Sequence, residues 1–76
     1  MTHLPVISGA DAVKAFKRLG YELDHQTGSH MILRMAGPPH RRLTIPNHKT
    51  IAKGTLRAII RQAGLTVEEF SALLKG

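Results

Sequence analysis

Seventy-six residues, no cysteine, and eleven Lys and Arg against five Asp and Glu set the bounds on this chain. They exclude a disulfide framework and a thiolate nucleophile, and leave room for one domain over residues 1–76 with a small core and an open surface site. The net charge of +6 points to a polyanionic partner, of which nucleic acid is the commonest.

No apolar run reaches the length that spans a membrane, so the expectation is a cytoplasmic protein with no membrane partner. Only Phe16, Tyr21 and Phe70 are aromatic. A sheet that stacks bases on aromatic rings is therefore not expected.

Ser8 reads as a helix cap, and Asp11 places an acid in the first turn. Gly9 to Leu19 is helical, with Ala12, Val13, Phe16 and Leu19 on one face and Lys14, Lys17 and Arg18 on the other. Gly20 is suited to end that helix in the left-handed conformation. Tyr21 to Gln26 alternates as a half-buried strand, Tyr21 and Leu23 on one side, Glu22 and Asp24 on the other. Thr27-Gly28 makes a turn. Ser29 to Met35 is the second strand, with His30 at its start. Its two faces are His30/Ile32/Arg34 and Met31/Leu33/Met35. Both carry apolar residues; an accessible His30 would set Met31, Leu33 and Met35 toward the helices and leave Ile32 on the functional face.

Ala36 to Arg41 holds Gly37-Pro38-Pro39 and is a loop. Arg42 to Ile45 is a third strand with Leu43 and Ile45 inward, ended by Pro46. A polar, basic connection follows, with Asn47, His48 and Lys49. A second helix runs from about Lys53 to Ala63. Leu56, Ile59, Ile60 and Ala63 form its apolar stripe, and Lys53, Arg57 and Arg61 form a basic stripe beside it. Gly64 stops it. Thr66 and Glu69 make a capping box for a last short helix bearing Val67, Phe70, Leu73 and Leu74. The fold class is α+β: a three-stranded antiparallel sheet in the order α-β-β-β-α plus a short C-terminal helix, with the helices on one face and the other face open.

The chemistry narrows by what the residues allow. The histidines are His3, His25, His30, His40 and His48. No pair has a compact ligand spacing and no carboxylate cluster accompanies them, so no metal or other cofactor is expected. There is no glycine-rich phosphate loop. Ser29 and His30 do not read as a hydrolase triad, since adjacent strand residues point to opposite faces. What remains is a histidine among cations. RNA carries its own nucleophile, the 2′-hydroxyl. Its cleavage needs a base, an acid and positive charge at the phosphate. His30 can be the base or the acid. Arg34 shares its strand face, and Lys49, Lys53 and Arg57 can neutralise phosphate. The helix start at Gly54-Thr55 can offer backbone N–H groups to an anion.

The residues Gly20-Tyr21, Gly28-Ser29-His30, Thr44-Ile45-Pro46-Asn47-His48, Lys53-Gly54-Thr55-Leu56 and Ile59-Ile60-Arg61-Gln62-Ala63-Gly64 occur in this order over about residues 8–70. In them the chain resembles the HicA family of toxin mRNA interferases. The resemblance implies a fold similar to the double-stranded RNA-binding domain and a metal-independent endoribonuclease that cleaves mRNA to stop translation and growth. It implies His30 as the catalytic residue. The candidates to hold the RNA are Gly28, Ser29, Arg34, His48, Lys49, Lys53, Thr55 and Arg57. The resemblance further implies a HicB-type antitoxin that covers the active site, in the cytoplasm of a bacterium or archaeon. The Gly37-Pro38-Pro39-His40 connection departs from the simpler turn expected there. The alternative reading is a non-catalytic RNA-binding module of the same fold; a weaker one is a partner protein whose basic face meets only an acidic protein.

Overall fold

The computed structural model describes residues 4–76; Met1, Thr2 and His3, the last of these one of the five histidines weighed as ligands, lie outside the described residues. The elements are α1 (Gly9–Leu19), β1 (Tyr21–Gln26), β2 (His30–Met35), β3 (Arg42–Pro46), α2 (Lys53–Gln62) and α3 (Val67–Lys75). The layout is the α+β arrangement expected, similar to the double-stranded RNA-binding domain.

α1 begins in a full capping box. The Asp11 N–H donates to Ser8 Oγ at 3.1 Å, and the Ser8 N–H donates to the Asp11 carboxylate at 3.4 Å, so two of the free N–H groups of the first turn are satisfied. Gly20 ends the helix at φ 117°, a left-handed value that favours glycine. Ala12, Val13, Ala15 and Phe16 form its buried face. Phe16 lies edge-on to Tyr21 at 5.7 Å between ring centroids, and 5.1 Å from the Phe70 ring. These contacts tie α1 to β1 and α3, and each is worth about 0.5–1.5 kcal/mol beyond simple burial.

The strands pair antiparallel in the order β1-β2-β3, so β2 is central. Met31, Leu33, Leu43 and Ile45 are buried under the helices with Leu56, Ile59 and Ile60 of α2. His30, Arg34, Arg42 and Thr44 are exposed, and Ile32 is half-buried among them. The apolar side of β2 is thus Met31/Leu33/Met35, as expected for an accessible His30. The second strand starts at His30 and not Ser29, the third takes in Pro46, and α2 gives way at Ala63.

β1 departs from the simple alternation read in the sequence. Leu23 stands opposite Leu33, but His25 stands opposite the very next residue, Ile32. Asp24 is therefore an extra residue, a bulge, and from there the strand changes which residues face which way. Leu23 shares the side of Leu33 yet is 42% exposed, because β1 is an edge strand and the helices do not cover it fully.

The Pro-rich connection folds back on β2, where the Met35 N–H donates to the Arg41 carbonyl at 2.8 Å. It keeps β2 and β3 in plain register, Leu33 opposite Leu43 and Arg34 opposite Arg42. It follows Met35, so it lies at the end of β2 away from His30. At the C-terminus Thr66 and Glu69 form the expected capping box of α3. The Arg18 guanidinium donates to the Leu73 carbonyl at 2.6 Å, so a cation from α1 closes the last turn of α3.

Candidate active site on the open sheet face

His30 is held by the turn before it. The Thr27 N–H donates to the His30 carbonyl at 2.9 Å, and the His30 N–H donates to Thr27 Oγ1 at 3.2 Å. Gly28 and Ser29 are the two loop residues between them. Ser29 lies in the turn and not on the strand, so its hydroxyl comes within 3.2 Å of His30 Nδ1. The expectation that the two side chains point apart is corrected by that geometry. No carboxylate bonds to His30 among the described residues, so no triad forms.

The turn is clasped from the other side. His30 stands opposite Pro46, and the Asn47 N–H donates to the Ser29 carbonyl at 2.8 Å. The Gly9 N–H donates to the His48 carbonyl at 2.9 Å, and the Ile51 N–H to the Ile7 carbonyl at 2.8 Å. Two sequence-distant motifs, Gly28-Ser29-His30 and Pro46-Asn47-His48, are thereby joined through the backbone, and the start of α1 anchors the second. His30 stands on a rigid frame with its ring exposed, which suits a group that exchanges protons with a bound substrate.

A Cβ added at Gly28 or Gly54 would meet nothing within 4 Å, and neither glycine has a left-handed φ. The fold itself therefore requires neither. Both leave bare backbone on the surface, the usual condition for close approach of a ligand.

The remaining candidates divide into two sets. Arg34 is on the open face with His30, in the row Glu22–Arg34–Arg42. Lys49, Lys53, Thr55 and Arg57 are exposed on the loop before α2 and on α2 itself, and no hydrogen bond joins them to His30 among the described residues. α2 starts at Ala52 without a side-chain cap and has no acid in its first turn, so its N-terminal N–H groups keep their partial positive charge.

Sequence reasoning missed Asp24 and His25. Asp24 Oδ2 accepts a hydrogen bond from His25 Nδ1 at 2.9 Å. That bond holds the Asp24 carboxyl below the ordinary carboxylate range; partial desolvation opposes it, and the charges of His25, Arg42 and Arg34 add to it. Asp24 and Arg34 also line one shallow depression of about 210 Å³. Strict alternation would set His25 on the helix side of β1. The bulge sets it opposite Ile32, on the open face. Only the poor strand propensity of Asp24 hinted at an irregularity.

Among the described residues, no helix is long and apolar enough to cross a membrane. No curated protein matches the chain. A family model described as HicA toxin of bacterial toxin-antitoxin matches residues 9–65. The match begins at the glycine that meets the His48 carbonyl and takes in the whole sheet, the His30 turn and α2. With three quarters of its length covered by that match, the chain belongs to the HicA toxin family and is a toxin of the toxin–antitoxin kind.

Proposed function

We propose that this toxin is a metal-independent endoribonuclease that cleaves mRNA in the cytoplasm, with His30 as its general acid or base. The observation that carries the reading is the exposed His30 imidazole, fixed by the Thr27–His30 turn and the Asn47–Ser29 hydrogen bond on an open sheet face. An open face suits a long polymer better than a small metabolite. The RNA brings its own nucleophile, so the protein need only move protons and hold charge. Gly28 and Ser29 admit the backbone close to His30. Arg34, His48, Lys49, Lys53, Thr55 and Arg57 hold the strand, the last three at or near the uncapped start of α2. A HicB-type antitoxin neutralises the toxin by covering this face.

The test is direct. Wild-type protein and His30→Ala are incubated with mRNA in EDTA, and each is also expressed in cells with and without the antitoxin. Wild type cuts the RNA and arrests growth, and His30→Ala is slower by about 10²–10⁴-fold, the usual cost of losing a positioned acid or base. Equal cutting by both proteins overturns the assignment of His30. Salt-sensitive RNA binding with no cutting by either leaves a binding module in its place.

A further inference from the structure

We propose that His25 is a second catalytic residue, the acid that protonates the leaving oxygen while His30 takes the proton of the 2′-hydroxyl. The inference rests on the ribonuclease reading above and adds the group that reading lacks. Three observations support it. The first is register. His25 stands opposite Ile32, and His30 is two residues before Ile32 on the same strand. Both histidines are therefore on the open face as diagonal neighbours, about 7–8 Å apart between backbone positions. A phosphodiester with a hydrogen bond of about 3 Å at each end spans such a gap.

The second observation is the Asp24–His25 bond of 2.9 Å. An ionised carboxylate only accepts, so Nδ1 of His25 holds a proton in either charge state of the ring, and Nε2 is the nitrogen that gives up the second proton when the ring acts as the acid. The side chain is 55% exposed, so Nε2 is open to substrate. The third is the difference between the two rings. Asp24 stands as a counter-ion beside His25, whereas the His30 ring meets only the hydroxyl of Ser29 among the described residues. The ring oriented by a carboxylate is the one assigned the role of acid, and the other the role of base.

The step balances. The 2′-oxygen forms a bond to phosphorus as its proton passes to His30 Nε2. The bond from phosphorus to the 5′-oxygen breaks, and that oxygen takes the proton of His25 Nε2. The products are a 2′,3′-cyclic phosphate and a 5′-hydroxyl, and solvent exchange resets both rings. Asp24 is a positioning residue that acts through His25.

The experiment uses an RNA whose wild-type cut site has been mapped, made in two forms. One is ordinary. The other has sulfur in place of the bridging 5′-oxygen at the cut site, a leaving group that departs without an acid. His25→Ala is expected to cut the ordinary RNA about 10²–10⁴-fold more slowly than wild type and the sulfur RNA at close to the wild-type rate. Asp24→Asn follows the same pattern with a smaller loss, and His30→Ala is slow on both. Wild-type rates for His25→Ala on the ordinary RNA overturn the proposal, and so does an equal loss on both RNAs. Should His25→Ala fail to fold by circular dichroism, His25→Gln decides by the same two rates. If the wild type cuts no mRNA, so that no site can be mapped, the ribonuclease reading and this inference fall together, an outcome distinguishable from the others because it precedes any comparison of the two RNA forms.

Discussion

Tyr21 is 2% exposed, and its hydroxyl has no hydrogen-bond partner among the described residues. A buried hydroxyl left unbonded costs about 1–3 kcal/mol, while the ring beneath it contributes fully to the core. Tyr21→Phe keeps the ring and the edge-on contact with Phe16 and removes only the orphan. It is expected to leave urea stability at neutral pH unchanged or raise it by about 1 kcal/mol. The pH dependence is a second readout. Burial pushes the Tyr21 phenol above its ordinary value, with Arg41 opposing. A group raised on folding contributes stability below its unfolded value, near 10, and that stability is lost as pH rises through the folded value. Tyr21→Phe should therefore flatten the alkaline limb of the stability curve. A loss above about 1 kcal/mol at neutral pH would mean that the hydroxyl is bonded in solution and the account of Tyr21 is wrong. At this scale His30 was legible, because turn residues and strand start are local signals. The orphan hydroxyl and the Asp24–His25 pair were not. Each depends on what another strand or helix places beside it.

Among the elements, the contact of α1 with β3 decides how the His30 turn is held. A Cβ at Gly9 would run into the Pro46 carbonyl oxygen, a backbone atom that cannot swing aside, and would also press on the Met31 methyl. Alanine is the better helix former by about 0.5–1 kcal/mol. Overpacking against backbone costs about 1–3 kcal/mol, so the clash wins. Gly9→Ala is expected to lower urea stability and, because Pro46 is the partner of His30, to lower RNA cleavage as well. Gly54→Ala is the control. Its Cβ would stand in open space, so helix propensity acts alone and stability should rise by about 0.5–1 kcal/mol. Equal responses at the two glycines would refute the close-packed contact. The helices were legible from their caps and apolar stripes, since those signals lie within one turn. The bulge in β1 was not, because register is fixed by pairing with β2 and not by alternation along β1. That one extra residue carries His25 from the helix side to the open face.

Over the whole molecule, the only side-chain ion pair among the described residues is Asp24–His25. None of the eleven Lys and Arg side chains is neutralised by contact with a carboxylate, so the charge of +6 is displayed outward. Two explanations of RNA affinity then compete. In one, net charge attracts the polymer from any side. In the other, phosphates sit on particular cations of the open face and the start of α2. Salt separates them, because each phosphate contact on a single strand adds about 0.7 to the slope of log K against log salt. Arg34→Ala and Lys14→Ala each remove one charge. Arg34 is on the face of His30, whereas Lys14 is exposed on α1, on the helix layer behind the sheet. Binding of single-stranded RNA is measured by fluorescence anisotropy at several salt concentrations, with His30→Ala as background so that nothing is cut. Arg34→Ala is expected to lower the slope by about 0.7, and Lys14→Ala to leave it in place while weakening binding slightly. If both flatten the slope alike, the affinity is a property of net charge, and the placement of RNA across the histidines of the open face loses its electrostatic basis.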